Sequence, residues 1–481
     1  MGEVKAILAT GHVDTWYPIT HILVGITSFW VGIETSALII SFVTTIVFIL
    51  FVSLAIRSIS STQHMNLCFF VALPLPFTYF HTHVHPAFLS TIGLPVLFYL
   101  IISTDRIDTS RNILLTILIL AWIIIGHPVT GALAIVFLVS VIIISHQSLV
   151  SEYSVNMLAT FVIIAGLLWV AWYSSFESVG TALIGRIIES TSPTGQTTDT
   201  ASSAIAGAEN PFVFLFQRII EQYGAPLIPI ALAFLLLILS LFDKSYEIYT
   251  NKDDFKFLVF QIAIGIILSV TFFVVYLSGS NPIRIVRYTT IMSIITIGFV
   301  LVNYHDSTEK YQSVVVSVIF VGMVLVAIIG VFSLHPINYH MSHMEHDGIE
   351  YTIEYHDSSV PIRSHDISSK TYRYILGTHQ DVWPPAINTE NPQNQIPPNL
   401  GVNSGEDTGA ALGESYIITQ QYILDRSEPF GAHQQDELSH YNENDIARLG
   451  EDPTVAKLYG NGETQMWKSQ PNDDEIENQT P

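Results

Sequence analysis

Residues 113–145 read ILLTILILAWIIIGHPVTGALAIVFLVSVIIIS, a stretch without one charged side chain. Such a run cannot form the surface of a soluble protein, and Gly126-His127-Pro128 at its middle punctuates it as a tight turn between two apolar segments. A helix that crosses the hydrocarbon layer needs roughly 20 mostly apolar residues. Working outward from this pair, similar runs lie at 36–56, 65–80, 88–103, 157–173, 225–242, 255–277, 286–303 and 312–334. With 113–126 and 129–145 they make about ten spans. The runs at 65–80, 113–126 and 129–145 are short or interrupted by proline, which suits broken or tilted helices. Tyr17–Val31 is apolar but short and starts at Pro18, so it reads as an N-terminal interfacial helix. Met1–Asp14 has no apolar core of the kind a cleavable signal peptide carries.

Charge divides the chain of 481 residues at about 335. The net charge is −22, with −5 on residues 1–335 and −17 on residues 336–481. Only 12% of the residues are charged, about half the usual share of a soluble domain. The expectation is an all-α polytopic membrane body over 1–335, followed by a small acidic α+β domain over 336–469 and a disordered tail over 470–481. So acidic a chain has no basic face for phosphodiester backbones, which excludes nucleic acid as a partner. Its single cysteine, Cys68, excludes an internal disulfide framework and a Cys-based zinc site. An acidic surface poor in lysine suits concentrated salt, as in a halophilic archaeon.

Lysine and arginine in the connections set orientation. One set of alternate loops holds Arg57, Arg106, Arg111, Lys244, Lys252, Lys256 and Lys310, and is read as cytoplasmic. This leaves 81–85, 126–129, the long loop 174–224 and 284–287 outside, and the acidic domain with them. Within that domain, Ile349–Tyr355 and Tyr416–Leu424 have strand composition. Lys370–Leu376 and Asp445–Leu449 read as short helices. Lys457–Trp467 reads as a hairpin turning at Asn461-Gly462, a dipeptide that tolerates the positive φ of a type I′ turn. The stretch 383–409, rich in Pro, Asn and Gly, reads as a linker.

Several groups carry chemistry by residue type. His81, His83 and His85 alternate, so an extended segment points all three one way; lining a polar pocket is favoured over holding a metal. His340, His343 and His346, with Glu345 and Asp347, suit either zinc on a helical turn or a solvated loop. Arg284 and Arg287 share a helix face and suit a lipid phosphate as well as they suit interfacial anchoring. His127 reads first as a turn residue. His12, Asp14 and Glu34 flank the interfacial helix, where a carboxylate could take a proton from a hydroxyl or orient a divalent metal ion.

These pieces together resemble the archaeal GT-C-type membrane glycosyltransferases. The resemblance runs through Ile7–His12, Tyr17-Pro18-x2-His21 with Gly32, the stretch 81–99, Gly126–Thr130 and Arg284–Tyr288. In the acidic domain, His343-Met344-Glu345-x2-Gly348 and Lys457–Glu463 resemble haloarchaeal members. The resemblance implies transfer of a sugar from a lipid-phosphate-linked donor to a glycan or protein acceptor on the outer face of the plasma membrane. It implies Asp14 as the catalytic base or metal-orienting carboxylate. His12, His21, His83 and His85 would line the sugar or phosphate pocket, and Arg284 and Arg287 would hold the lipid phosphate. A divalent metal ion is the one cofactor this chemistry admits. The sequence departs from the family where a first transmembrane helix and most of the first outer loop would precede the Gly-His segment. The expectations are then a truncated start, Asp14 in the acidic role, or a non-catalytic relative. A transporter or flippase, and an envelope protein recruiting partners through its acidic domain, are the rival readings.

Overall fold

The computed structural model describes residues 2–13, 17–60, 64–77, 86–103, 109–145, 155–176, 225–236, 238, 252–275, 283–305, 317–319, 321–322, 324–325, 328, 342–364, 396–401, 407–421, 423–424 and 440–470. The chain is mostly helical, with one small sheet near its C-terminal end. It divides into two compact units. One is Val13–Leu334; the other joins Met1–His12 to His335–Pro481.

The larger unit is built from helices α2 (Pro18–Val31), α3 (Ile33–Ser60), α4 (Met65–Ala72), α5 (Pro86–Ile102), α6 (Thr109–Gly126), α7 (Pro128–Ser145) and α8 (Val155–Ser174). After these come α9 (Ala225–Leu236), α10 (Lys252–Val275) and α11 (Ile283–His305). Prolines open α2, α5 and α7, where the missing N–H costs nothing and φ is already helical. Pro74 and Pro76 stop α4 after Ala72 and leave only a short 3-10 turn, Leu75–Phe77. Gly32 separates α2 from α3 at φ 80°, a conformation that a residue with a Cβ rarely adopts.

Three described helical segments, Ile33–Ser60, Val155–Ser174 and Val286–Asn303, are long and apolar enough to cross a membrane. The sequence reading of about ten spans therefore exceeds what the described helices supply. Pro18–Val31, Pro86–Ile102, Ser110–Gly126, Pro128–Ile144, Ala225–Leu236 and Lys256–Val270 are apolar but shorter. At 1.5 Å per residue, the 17 residues of α5 rise roughly 26 Å, a little under a hydrocarbon core of about 30 Å. Proline starts and the break at His127 cap these lengths.

Small residues let the helices touch. A Cβ on Gly93 would sit 2.3 Å from Ile123 Cγ1, and one on Gly126 3.0 Å from Ser90 Cβ. Close α5–α6 approach brings Ser90 Oγ to donate to the Ile123 carbonyl at 2.7 Å, and Trp122 Nε1 to the Leu89 carbonyl at 2.9 Å. Phe98, Phe137 and Phe257 join α5, α7 and α10, with ring centroids 5.6 to 6.5 Å apart. Of Val286–Asn303, 89% is buried, against 17% of an 18-residue stretch within Val155–Ser174, so α11 is central and α8 peripheral. Outer faces carry bare apolar side chains such as Phe29, Trp30, Leu38, Phe42 and Leu167. That outward surface suits hydrocarbon, not water.

The smaller unit begins with α1 (Gly2–Thr10) and continues with α12 (His343–Tyr355), β1 (Ile362–Arg363), α13 (Thr408–Leu412), β2 (Ser415–Gln420), α14 (Glu443–Glu451), β3 (Val455–Gly460) and β4 (Thr464–Ser469). The sheet order is β1-β2-β4-β3, with β1 parallel to β2 and the other pairs antiparallel. Because strand side chains alternate, Tyr416, Ile418 and Met466 enter one core with Ile349 of α12, while Ile417 and Trp467 enter another with Leu412 and Leu449. Both faces of β2 are thus covered, which is why its sequence is continuously apolar at Tyr416–Ile418.

Ile349–Tyr355, expected as a strand, is the second half of α12. Ser342 and Glu345 make a reciprocal capping box at its start, with Ser342 Oγ accepting from the Glu345 N–H at 3.0 Å. Gly348 lets the helix lie on the sheet, since a Cβ there would be 2.4 Å from Thr464 Cβ. The hairpin at 457–467 is present, with Gly462 at φ 100°. Asp445–Leu449 lies within α14. Part of the expected linker is core: Ile396 and Leu400 are fully buried against Tyr441 and Trp467. The expected helix at 370–376 and the tail beyond 470 lie outside the described residues.

Asp452 ties α13 to the start of β3. It accepts from the Thr408 N–H at 2.7 Å, the Thr454 N–H at 2.8 Å and the Thr454 hydroxyl at 2.5 Å. Burial by itself raises its carboxyl, but hydrogen bonding from Thr408 and Thr454 outweighs this and holds the group below its ordinary value. A pKa lower in the folded than in the unfolded chain gives stability that is present above the unfolded value and lost as pH falls through the folded one. Thermal melts of the full chain between pH 7 and 3 should lose stability below about pH 4, and Asp452→Asn should flatten that fall. A variant as acid-sensitive as wild type would assign the loss to other carboxylates.

Candidate functional site

One cluster gathers residues that are far apart in the sequence. The α6–α7 break places His127 between two helices with its N–H still bonded to the Ile123 carbonyl at 3.1 Å, and its own carbonyl accepting from Gly131 at 2.9 Å. His127 is 1% exposed and stacks on Tyr17, with centroids 5.4 Å apart and planes 21° apart. Tyr17 caps α2, and its carbonyl accepts from His21 Nδ1 at 3.0 Å. A carbonyl can only accept, so neutral His21 carries its proton on Nδ1 and its lone pair on Nε2.

The end of α8 closes the cluster from another side. Trp169 Nε1 donates to the Pro128 carbonyl at 2.9 Å, and the Tyr173 hydroxyl donates to the Ile124 carbonyl at 2.5 Å. The Tyr173 bond satisfies the Ile124 carbonyl, which is left open because Pro128, four residues on, has no N–H to donate. Tyr17, His21 and Trp169 remain half-buried, so the cluster presents aromatic faces and an imidazole to whatever approaches.

A second polar group lies deeper. The Tyr288 hydroxyl donates to Gln261 Oε1 at 2.6 Å, and Gln261 Nε2 donates to Ser140 Oγ at 2.6 Å, joining α11, α10 and α7. All three residues are buried. Pro128 and Ser140 are twelve residues apart on α7, so roughly 18 Å separates the His127 level from this one. Gln261→Leu would strand the buried Tyr288 hydroxyl, while Ser140 keeps its bond to the Phe137 carbonyl at 2.6 Å, and should cost about 1–3 kcal/mol of stability in detergent melts. An unchanged melting temperature would show that the network contributes nothing to packing.

The residues singled out from the sequence are thus distributed unevenly. His21 joins Tyr17 and His127. Arg287 is 8% exposed at the start of α11, next to Tyr288 and hence tied to the Ser140 level. Arg284 lies one turn earlier in α11, and its side chain is outside the described set. His12 is exposed in the smaller unit, its N–H donating to Thr10 Oγ1 at 3.1 Å. Asp14, His83 and His85 lie outside the described residues. Trp169 and Tyr173 were not singled out; their signal is the aromatic end of α8, Trp169-x2-Trp172-Tyr173. Glu345, paired with the histidines in the sequence reading, is buried in the capping box, and Glu350 takes its place beside His346.

No protein-family model matches the chain, and no curated protein matches it either.

Proposed function

We propose that the chain is a multi-pass membrane protein of the GT-C-like glycosyltransferase kind, moving a sugar from a lipid-phosphate donor to an acceptor outside the plasma membrane. The observation that carries this reading is the stack of Tyr17 on His127 beside His21. It joins two of the segments on which the resemblance rests, and aromatic faces with an imidazole beside them suit a sugar ring and its hydroxyls.

In this reading the acceptor hydroxyl oxygen attacks the anomeric carbon, its proton passes to a base, and the bond to the phosphate oxygen breaks with inversion. The phosphate departs with the electron pair. Asp14 is the proposed base, and His21 Nε2 is the second candidate because its tautomer leaves that nitrogen able to accept. The donor phosphate is bonded to the reacting sugar, so in this reading it lies at the His127 level, and His21 serves it only as the doubly protonated imidazolium, with Asp14 then the base. Arg284 and Arg287 keep the proposed role of holding a lipid phosphate. His83 and His85 keep the proposed role of lining the pocket, and a divalent metal ion the proposed role of offsetting the departing charge.

The test is mass spectrometry of surface glycans from a deletion strain complemented with wild type or with Tyr17→Ala. Loss of one sugar, restored by wild type and not by the variant, supports the reading. An unchanged profile in the deletion strain overturns it.

The buried Ser140–Gln261–Tyr288 network favours transport as the second reading, because polar groups inside a helical bundle often mark a substrate path. Uptake of a lipid-linked or small polar substrate that stops in Gln261→Leu, with glycans intact, would favour that reading.

A further inference from the structure

We propose that the exposed stripe His343, His346, Asp347 and Glu350 on α12 is a binding site for a borderline divalent cation, zinc above all. The four positions follow the i, i+3, i+4, i+7 pattern, which places them on one face of a helix. His346, Asp347 and Glu350 each offer a ligand atom, all within 4.8 Å of one another. His346 Nε2 lies 3.7 Å from Glu350 Oε1, and Nδ1 lies 3.8 Å from Asp347 Oδ1. Zinc holds nitrogen and oxygen ligands at about 2.0–2.2 Å, so tetrahedral ligands sit roughly 3.4 Å apart. The stripe needs only a small closing movement to reach that spacing.

One ring nitrogen of His346 binds one ion. Nε2 with Glu350, one turn on, is the better-placed pair, and Asp347 completes three ligands. His343, exposed one turn earlier, supplies a fourth or leaves the position to water. The mixed imidazole and carboxylate set selects zinc over calcium and magnesium, which take oxygen ligands almost throughout.

Two features make the stripe a built surface. The neighbouring carboxylates are occupied elsewhere: Glu345 accepts from the Ser342 N–H at 3.1 Å, and Glu463 accepts from the Ser342 hydroxyl. The helix is also clamped, with Gly348, Ile349 and Thr352 buried against the sheet, so the opposite face keeps its geometry. The positive end of the helix dipole opposes a cation here, which is why two carboxylates matter.

This site lies apart from the sugar reading and does not depend on it. Calorimetry of the detergent-solubilised full chain with zinc chloride should show one saturable site. His346→Ala should weaken that site at least about tenfold, and Glu350→Gln comparably. Both variants alter an exposed face, so their melting without zinc should match wild type. Other histidines of the chain would give binding that neither variant changes, and such a titration overturns the proposal. So does the absence of any zinc binding, or equal competition by calcium.

Discussion

His127→Ala, expressed in place of the wild-type chain, is expected to lower the transferred sugar on surface glycans by about 100-fold, the cost of misplacing reacting groups by about an ångström. The imidazole is 1% exposed and fixes the Tyr17 ring, whose carbonyl in turn orients His21. Its loss leaves the α6–α7 break intact, because Pro128 and the Gly131 bond hold the turn. The stability cost should be modest, about 0.5–1.5 kcal/mol for a lost ring pair plus its buried area. Quantitative glycan mass spectrometry beside a detergent melt separates the two effects. His127→Phe is the sharper variant, since it keeps a ring against Tyr17 and removes both nitrogens. If phenylalanine restores the sugar fully, His127 acts through its ring stack on Tyr17 alone; if alanine restores it too, the site assignment falls.

Trp467→Ala should strongly destabilise the smaller unit. Trp467 is 4% exposed on β4, paired across the sheet with Ile417, and packed in the same core as Ile396, Leu400, Leu412, Tyr441 and Leu449. Truncating a buried tryptophan costs about 3–5 kcal/mol. A domain of this size has about 5–15 kcal/mol in all. Its indole also donates to Thr419 Oγ1 at 3.4 Å, and Lys457 Nζ lies 5.0 Å from the ring. Limited proteolysis should then cut within 342–470 at protease levels that leave wild type whole. Lys457→Ala, which removes an exposed cation over the ring and its hydrogen bond to Gln465 Oε1 at 3.0 Å, should cost about 0.5–1 kcal/mol and leave the pattern unchanged. Equal resistance of Trp467→Ala would mean that the two cores of this unit are not cooperative.

Legibility differed from element to element. The apolar helices α3, α5, α6, α7, α8 and α11 stand where the long runs of Leu, Ile and Val place them, and prolines and glycines mark their ends. The hairpin at Asn461-Gly462 was equally legible, because its turn chemistry is local. Ile349–Tyr355 misled, since β-branched and aromatic residues there are countermanded by the capping box of Ser342 and Glu345 and by the fit of Gly348 against Thr464. Leu400 misled in the same way: polar neighbours made it look like linker, yet it is fully buried against Tyr441 and Trp467.

Hydrophobic run length, charge placement and turn residues are properties of neighbouring positions, so the sequence alone determined an apolar helical body, an acidic C-terminal domain and the break at His127. The stack of His127 on Tyr17, the bond from His21 and the separation of both from Arg287 depend on how helices distant in the chain meet. Only the tertiary structure decided them. Side-chain packing between α2, α6, α7 and α8 sets those distances, and no spacing along the chain encodes it.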